Sequence, residues 1–181
     1  LDLSTPENIF AFWRNAGPDK WFKRDDALDA QIRVRFRETH EAAASGALAA
    51  WEGSAEGALA LLILLDQFPR NMFRGTSRAF ATDATARAIA DRAIANGFDL
   101  AVPADMKSFF YLPFMHSEQL ADQERCVALY AAAGDDYSLN YAREHADIIR
   151  RFGRFPHRNA ALGRTSTPEE KAFLESGGFS G

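Results

Sequence analysis

Apolar positions recur along this chain with the spacing of helices, and no long alternating stretch suggests a strand. Ser4-Thr5-Pro6-Glu7 is a helix start, with a hydroxyl cap, Pro in the first turn and Glu for a capping box. Ile9, Phe10, Phe12 and Trp13 follow, and Gly17-Pro18 stops the element. Asp25 or Asp26 caps a second helix, in which Leu28, Ile32 and Phe36 share one face while Arg33, Arg35 and Arg37 lie largely off it. That helix is expected to end near Ser45-Gly46, and a short apolar piece around Leu48 and Trp51 leads to Gly53. Ser54 caps a helix that is apolar all round from Ala58 to Leu65, the mark of a central, covered element. Pro69 disfavours helical geometry in the residue before it, so this helix is expected to end near Phe68.

The second half reads the same way. Asp83 starts a helix through Ile89 and Ile94 that Asn96-Gly97 closes. Ala104 to Tyr111 reads as a helix interrupted by Pro113, and a further one starts near Ser117 and runs to Ala133-Gly134. Asp136 opens another, carrying Leu139, Ala142, Ile149 and Phe152 to Gly153. Thr167-Pro168-Glu169-Glu170 starts a last short helix, and the tail from Gly177-Gly178 is expected to be loose. The pattern predicts an all-α fold, a compact stack of about eight or nine helices in antiparallel pairs, in one domain over 1–181.

Composition narrows the function classes. With 181 residues, 47% of them apolar and 25% charged, the chain can bury its own core. The longest apolar run, Ala58 to Leu65, is far short of the roughly 20 residues of a membrane span. Cys126 is the single cysteine, in an apolar stretch with Val127, Leu129 and Tyr130 that points to the core. It allows neither an internal disulfide nor a cysteine zinc site, and Leu1 to Phe10 lacks the pattern of a signal peptide. These features predict a cytoplasmic protein. The net charge of −4 disfavours broad binding to nucleic acid. Of the 21 basic residues 17 are Arg, whose flat fork suits carboxylate or phosphate better than the point charge of Lys.

Two Phe-Pro loops concentrate that arginine. Asp66-Gln67-Phe68-Pro69-Arg70-Asn71 is followed by Arg74-Gly75-Thr76-Ser77, and Phe155-Pro156-His157-Arg158-Asn159 by Gly163-Arg164-Thr165-Ser166. The stretch from Gln67 to Thr82 holds Arg70, Arg74 and Arg78 and no acid. That from Ile148 to Pro168 holds Arg150, Arg151, Arg154, Arg158 and Arg164 and no acid. Two readings stand open. The arginines pair with Asp66, Glu118, Asp122 and Asp147 as structural networks, or the two loops touch at one end of the molecule and form an anion site. The candidate ligand-binding residues are Asp66, Gln67, Arg70, Asn71, Arg74, Asp122, Gln123, Arg154, Arg158 and Asn159. Candidate acid–base groups are His116, next to Ser117 and Glu118, and His157. No zinc-peptidase helix, dinucleotide fingerprint or nucleophile elbow occurs, so neither metal nor cofactor is expected.

The same segments carry a family resemblance. Trp21-Phe22-Lys23, the run from Leu61 to Thr82 that contains Leu65 to Asn71, Tyr111-Leu112-Pro113-Phe114 through Gln123, and the run from Arg151 to Asn159 resemble the bacterial domain-of-unknown-function family 924. The resemblance covers nearly the whole chain and implies an all-helical fold like that of tetratricopeptide-repeat proteins. It implies no activity and assigns no catalytic residue. Met115 departs from it, since an acidic residue is expected there. The function expected is a helical binding module for a peptide or small anionic ligand at an Arg-rich concavity. The alternative is an enzyme on a small anionic substrate, with Arg70, Arg74 and Arg158 as anchors and a histidine as acid–base.

Overall fold

A computed structural model describes residues 3–181; Leu1 and Asp2, at the start of the segment read for a signal peptide, lie outside the described residues. The fold is all-α, with no strand among the described residues. The chain divides into two compact units, the first running up to Arg74 with Arg78–Pro113, the second comprising Gly75–Ser77 and Phe114–Gly181.

In the first unit, α1 (Pro6–Ala16) starts where Thr5 accepts a hydrogen bond from the Asn8 amide, and the single turn α2 (Pro18–Trp21) follows Gly17. Asp25 caps α3 (Asp26–Ala44) by accepting from the Leu28 amide, and Ser54 caps α4 (Ala55–Leu62) by accepting from Gly57. Every residue from Ala58 to Leu65 is buried. α1 and α6 (Asp83–Ala95) pack against α4, and Trp13, Phe36, Phe68 and Phe109 fill the surrounding core.

The central helix does not end near Phe68. It passes through one π turn, Ile63–Gln67, and continues as α5 (Phe68–Met72) with Pro69 in its first turn. In this widened turn the Phe68 amide donates to Ile63 rather than to Leu64, and the Leu65 carbonyl, four residues before Pro69, has no amide to receive from it. The segment from Ala104 to Tyr111 also departs from expectation. Between Pro103 and Pro113 it forms only the 3-10 turn Lys107–Phe110, and the hydroxyl of the buried Tyr111 donates to Asp99 at 2.6 Å.

The four-residue α7 (Leu112–Met115) carries the chain into the second unit. There α8 (Leu120–Ala133) and α9 (Asp136–Phe152) form a hairpin across Gly134 and Asp135, and Asp135 accepts from the Ser138 amide. α8 starts three residues after Ser117, whose hydroxyl donates to Asp122 instead of capping a longer helix. Thr167 and Glu170 form the expected capping box of α10 (Pro168–Glu175). In the tail, Phe179 is half-buried on a cluster built from Ile148, Ile149 and Phe155, while Ser180 and Gly181 are exposed. Phe supplies apolar area that favours docking over a solvated end. Cys126 is buried, and burial drives its thiol pKa up to about 12. No helix among the described residues is long and apolar enough to cross a membrane.

Candidate functional site

The first Phe-Pro loop is an extension of the π turn. A π turn frees carbonyls that an α-helix would satisfy, and buried carbonyls need donors. Leu64 receives Nδ1–H of His40 at 2.8 Å, and Leu65 receives the Thr82 hydroxyl at 2.6 Å. The Asp66 carbonyl accepts from Arg70 at 2.7 Å. The guanidinium of Arg70 also clamps both oxygens of Asp83 at 2.8 and 2.9 Å and lies 3.5 Å from the Asp66 carboxylate. Gln67 donates to Asp66 at 2.7 Å, Asn71 donates to Asp29 at 2.9 Å, and Arg74 grips both oxygens of Asp29. Asp29, Asp66, Gln67, Asn71 and Asp83 are all buried, so these bonds are required to offset their desolvation.

The second loop is satisfied in the same manner within its own unit. Arg154 grips both oxygens of the buried Glu170 at 2.8 and 3.1 Å, and Asn159 donates to Glu170 at 2.7 Å. The charge-assisted bonds from Arg154, with those from Asn159 and Thr167, hold the Glu170 pKa down to about 2 against burial. Arg164 grips both oxygens of Glu118, while Glu118 accepts from the Phe155 amide at 2.6 Å. Arg158 is buried, donates to the His116 carbonyl at 2.8 Å and lies 4.7 Å over the Phe155 ring. Gln123 donates to the carbonyls of Met115 and Ser117 at 2.7 Å, closing the turn before α8, and Met115 is buried there without any need for an acid.

Of the eight loop arginines, six hold a carboxylate: Arg70, Arg74, Arg78, Arg150, Arg154 and Arg164. Arg151 lies on the rings of Phe152 and Phe173. The guanidinium groups of Arg70, Arg74 and Arg154, each held through two bonds by a buried carboxylate, present no open fork to a ligand. These three act as clasps for helix ends. Asp66, Glu118 and Asp147 are among the expected partners, and Asp122, expected with them, accepts from the Ser117 hydroxyl; Asp29, Glu41, Asp83, Glu124 and Glu170 are partners the sequence did not single out. Asp83 and Glu170 read in the sequence as helix openers, and nothing local links Asp29 to Arg74 across 45 residues.

The histidines separate. His40 belongs to the π turn. His145 is buried on α9, donates Nδ1–H to the Tyr141 carbonyl at 2.7 Å, and meets Phe155 at 5.6 Å and Phe179 at 4.5 Å. Burial, then the positive charges of His116 and Arg158, push its pKa down to about 4. His157 faces Phe155 at 5.7 Å and Phe179 at 5.1 Å. No group of three metal-type ligands occurs among the described residues.

A concave surface unlike these clasps lies in the first unit. A groove of 440 Å³ runs between α1 and α3, and its lining holds no carboxylate. Asn8, Phe12 and Asn15 project from one face of α1, and Leu28, Gln31 and Arg35 from one face of α3, at the spacings that align side chains on a helix. Lys20 completes the rim, 3.4 Å from Asp25. The Arg35 guanidinium rests on the rings of Phe12 and Phe36 at 4.8 and 5.2 Å. Among the described residues, the side chains of Asn8, Asn15, Gln31 and Arg35 make no hydrogen bond or ion pair. Arg35 was visible in the sequence only as a residue off the apolar face.

Comparison with known proteins gives the following. A family model described as "Bacterial protein of unknown function (DUF924)" matches residues 9–178. A solved structure, of a protein of unknown function, ATU0120 from Agrobacterium tumefaciens, is similar at 53% identity, with 94% of this chain and 97% of that one covered and a TM-score of 0.91. No curated protein matches.

Proposed function

The chain belongs to the DUF924 family of bacterial proteins of unknown function, and for it we propose a helical binding module whose α1–α3 groove takes a short acidic peptide segment. The observation that carries this reading is the groove's chemistry: an open guanidinium and three uncommitted carboxamides without a carboxylate among them. A carboxamide both donates and accepts, which matches a peptide unit, and Arg35 is held in place on two rings to meet a carboxylate through its fork. The groove falls within the size range of pockets that hold small ligands, roughly 300–1,000 Å³. This keeps the class expected from the sequence and moves the site away from the Phe-Pro loops. Helical hairpins such as α8–α9 suit a tetratricopeptide-type stack, and a single buried Cys126 suits a reducing cytoplasm.

The test is calorimetric titration with a blocked tetra-glutamate peptide, using tetra-lysine as control. Tetra-glutamate should bind with an affinity that weakens as salt is raised, since screening acts on exposed charge. Arg35→Glu should weaken it by about tenfold or more, an energy near 1.4 kcal/mol, while stability falls by no more than the roughly 1 kcal/mol of its exposed ring contacts. Equal binding of the two peptides, or an unaffected Arg35→Glu variant, would remove the reading.

A further inference from the structure

The two ends of the α1–α3 groove differ in chemistry. Its two helices run in opposite directions. The Ser4 amide, just before α1, donates to the Thr39 hydroxyl at 3.0 Å in the second half of α3, while the end of α1 leads through α2 to the first turn of α3. Asn8 and Arg35 therefore mark one end of the groove, and Ala16, Lys20 and Leu28 the other.

At the first end the Arg35 guanidinium lies on the Phe12 and Phe36 rings and makes no ion pair among the described residues. Glu7, beside Asn8, and Glu38, one turn after Arg35, neither line the groove nor pair with Arg35. At the second end Lys20 lies 3.4 Å from Asp25, which accepts from the Leu28 amide as the cap of α3. An acidic side chain seated there would meet Asp25 as well as Lys20, and the two charges nearly cancel. What this end offers instead is apolar surface. Ala16 is half-buried, and Leu28, otherwise buried, lines the groove. An uncharged side chain gains by covering such surface.

The spacing of the ends sets a register. Leu28 and Arg35 are seven residues apart on α3, a rise of about 10 Å. Gln31 stands between them, one turn from each, with its carboxamide uncommitted. An extended chain of the polyproline type advances about 9 Å in three residues and brings its side chain back to the same side. Two side chains three positions apart on such a chain reach both ends, and the peptide units between them pass the Gln31 carboxamide, which can donate and accept.

We infer that the groove selects a peptide by two residues three positions apart, an acidic one on Arg35 and an apolar one against Ala16 and Leu28. This rests on the groove being a peptide site and adds what the peptide must carry. One acidic residue suffices, and further acidic residues toward Lys20 contribute little.

The probes are blocked Glu-Ala-Ala-Leu and its reverse, Leu-Ala-Ala-Glu, each with a counterpart in which Ser replaces Leu, titrated calorimetrically beside tetra-glutamate. In one of the two orders the Leu peptide should bind about fivefold or more tighter than its Ser counterpart, through the apolar surface it covers. Ala16→Gln places a polar side chain at the apolar end and should erase that preference. Asp25→Asn keeps a capping side chain and releases Lys20, so it should tighten tetra-glutamate more than it tightens the one-acid peptide. The comparison of Leu with Ser uses the unsubstituted chain and decides even where a variant fails to fold. Tetra-glutamate binding that depends on Arg35, with Leu and Ser peptides equal in both orders, would overturn the two-residue inference and leave the acidic-peptide site in place. Absence of binding by tetra-glutamate and by every one-acid peptide would overturn both.

Discussion

Thr82 donates its hydroxyl to the Leu65 carbonyl at 2.6 Å, at the position where Pro69 has no N–H to offer. The donor comes from 17 residues further along the chain, and the acceptor is fully buried. Thr82→Val keeps the shape and removes the donor, so it should destabilise the protein by about 1–3 kcal/mol in urea unfolding. Pro69→Ala restores an amide to the turn, and the Thr82→Val loss should be smaller in that background. Equal losses in both backgrounds would show that the hydroxyl does not replace the missing amide.

Arg70 and Arg78 both form ion pairs in the first unit, yet they should differ sharply in weight. Arg70→Ala leaves Asp66 and Asp83 buried without their cation, which should cost about 3–5 kcal/mol. Arg78 and Glu41 are about half exposed, so Arg78→Ala should cost under about 1 kcal/mol. Chemical denaturation of the two variants under the same buffer checks the contrast, and similar costs would contradict it.

Stability should fall in two stages as the solution is acidified. His145 has a folded pKa of about 4, below its usual unfolded value of about 6.5. Between those values the unfolded chain binds a proton that the folded one refuses, which removes stability on the order of 3 kcal/mol. Glu170, with a folded pKa of about 2, contributes its full stabilisation above its unfolded value of about 4.3 and loses it as pH falls toward 2. Urea midpoints measured from pH 7 to pH 3 should show both stages. His145→Gln should flatten the first and Glu170→Gln the second; a constant midpoint from pH 7 to pH 4 would contradict the account.

The helices that were legible in the sequence are those set by local chemistry. Thr5, Asp25, Ser54 and Thr167 announce their helices because a cap acts within three residues, and the buried run from Ala58 to Leu65 needs only its own composition. The passage of the helix through Pro69 was not legible, because the donor that makes it tolerable stands on another element. The abundance of arginine was plain, but its partners were not. Arg74 and Asp29 meet through tertiary folding, and a sequence shows the charges without the pairing. The groove escaped notice because Asn8, Asn15, Gln31 and Arg35 look like any solvated helix face until α1 and α3 are set side by side.

The central claim is a division of labour among the arginines, in which Arg70, Arg74, Arg154 and Arg164 clasp carboxylates and Arg35 faces a ligand. The Nε–H signals of arginine in a ¹H–¹⁵N spectrum report each guanidinium separately. During titration with tetra-glutamate, the Arg35 signal should move in a saturable way while those of Arg70, Arg74, Arg154 and Arg164 hold their positions. Movement of any of those four with Arg35 unmoved would contradict the account and return the site to the Phe-Pro loops.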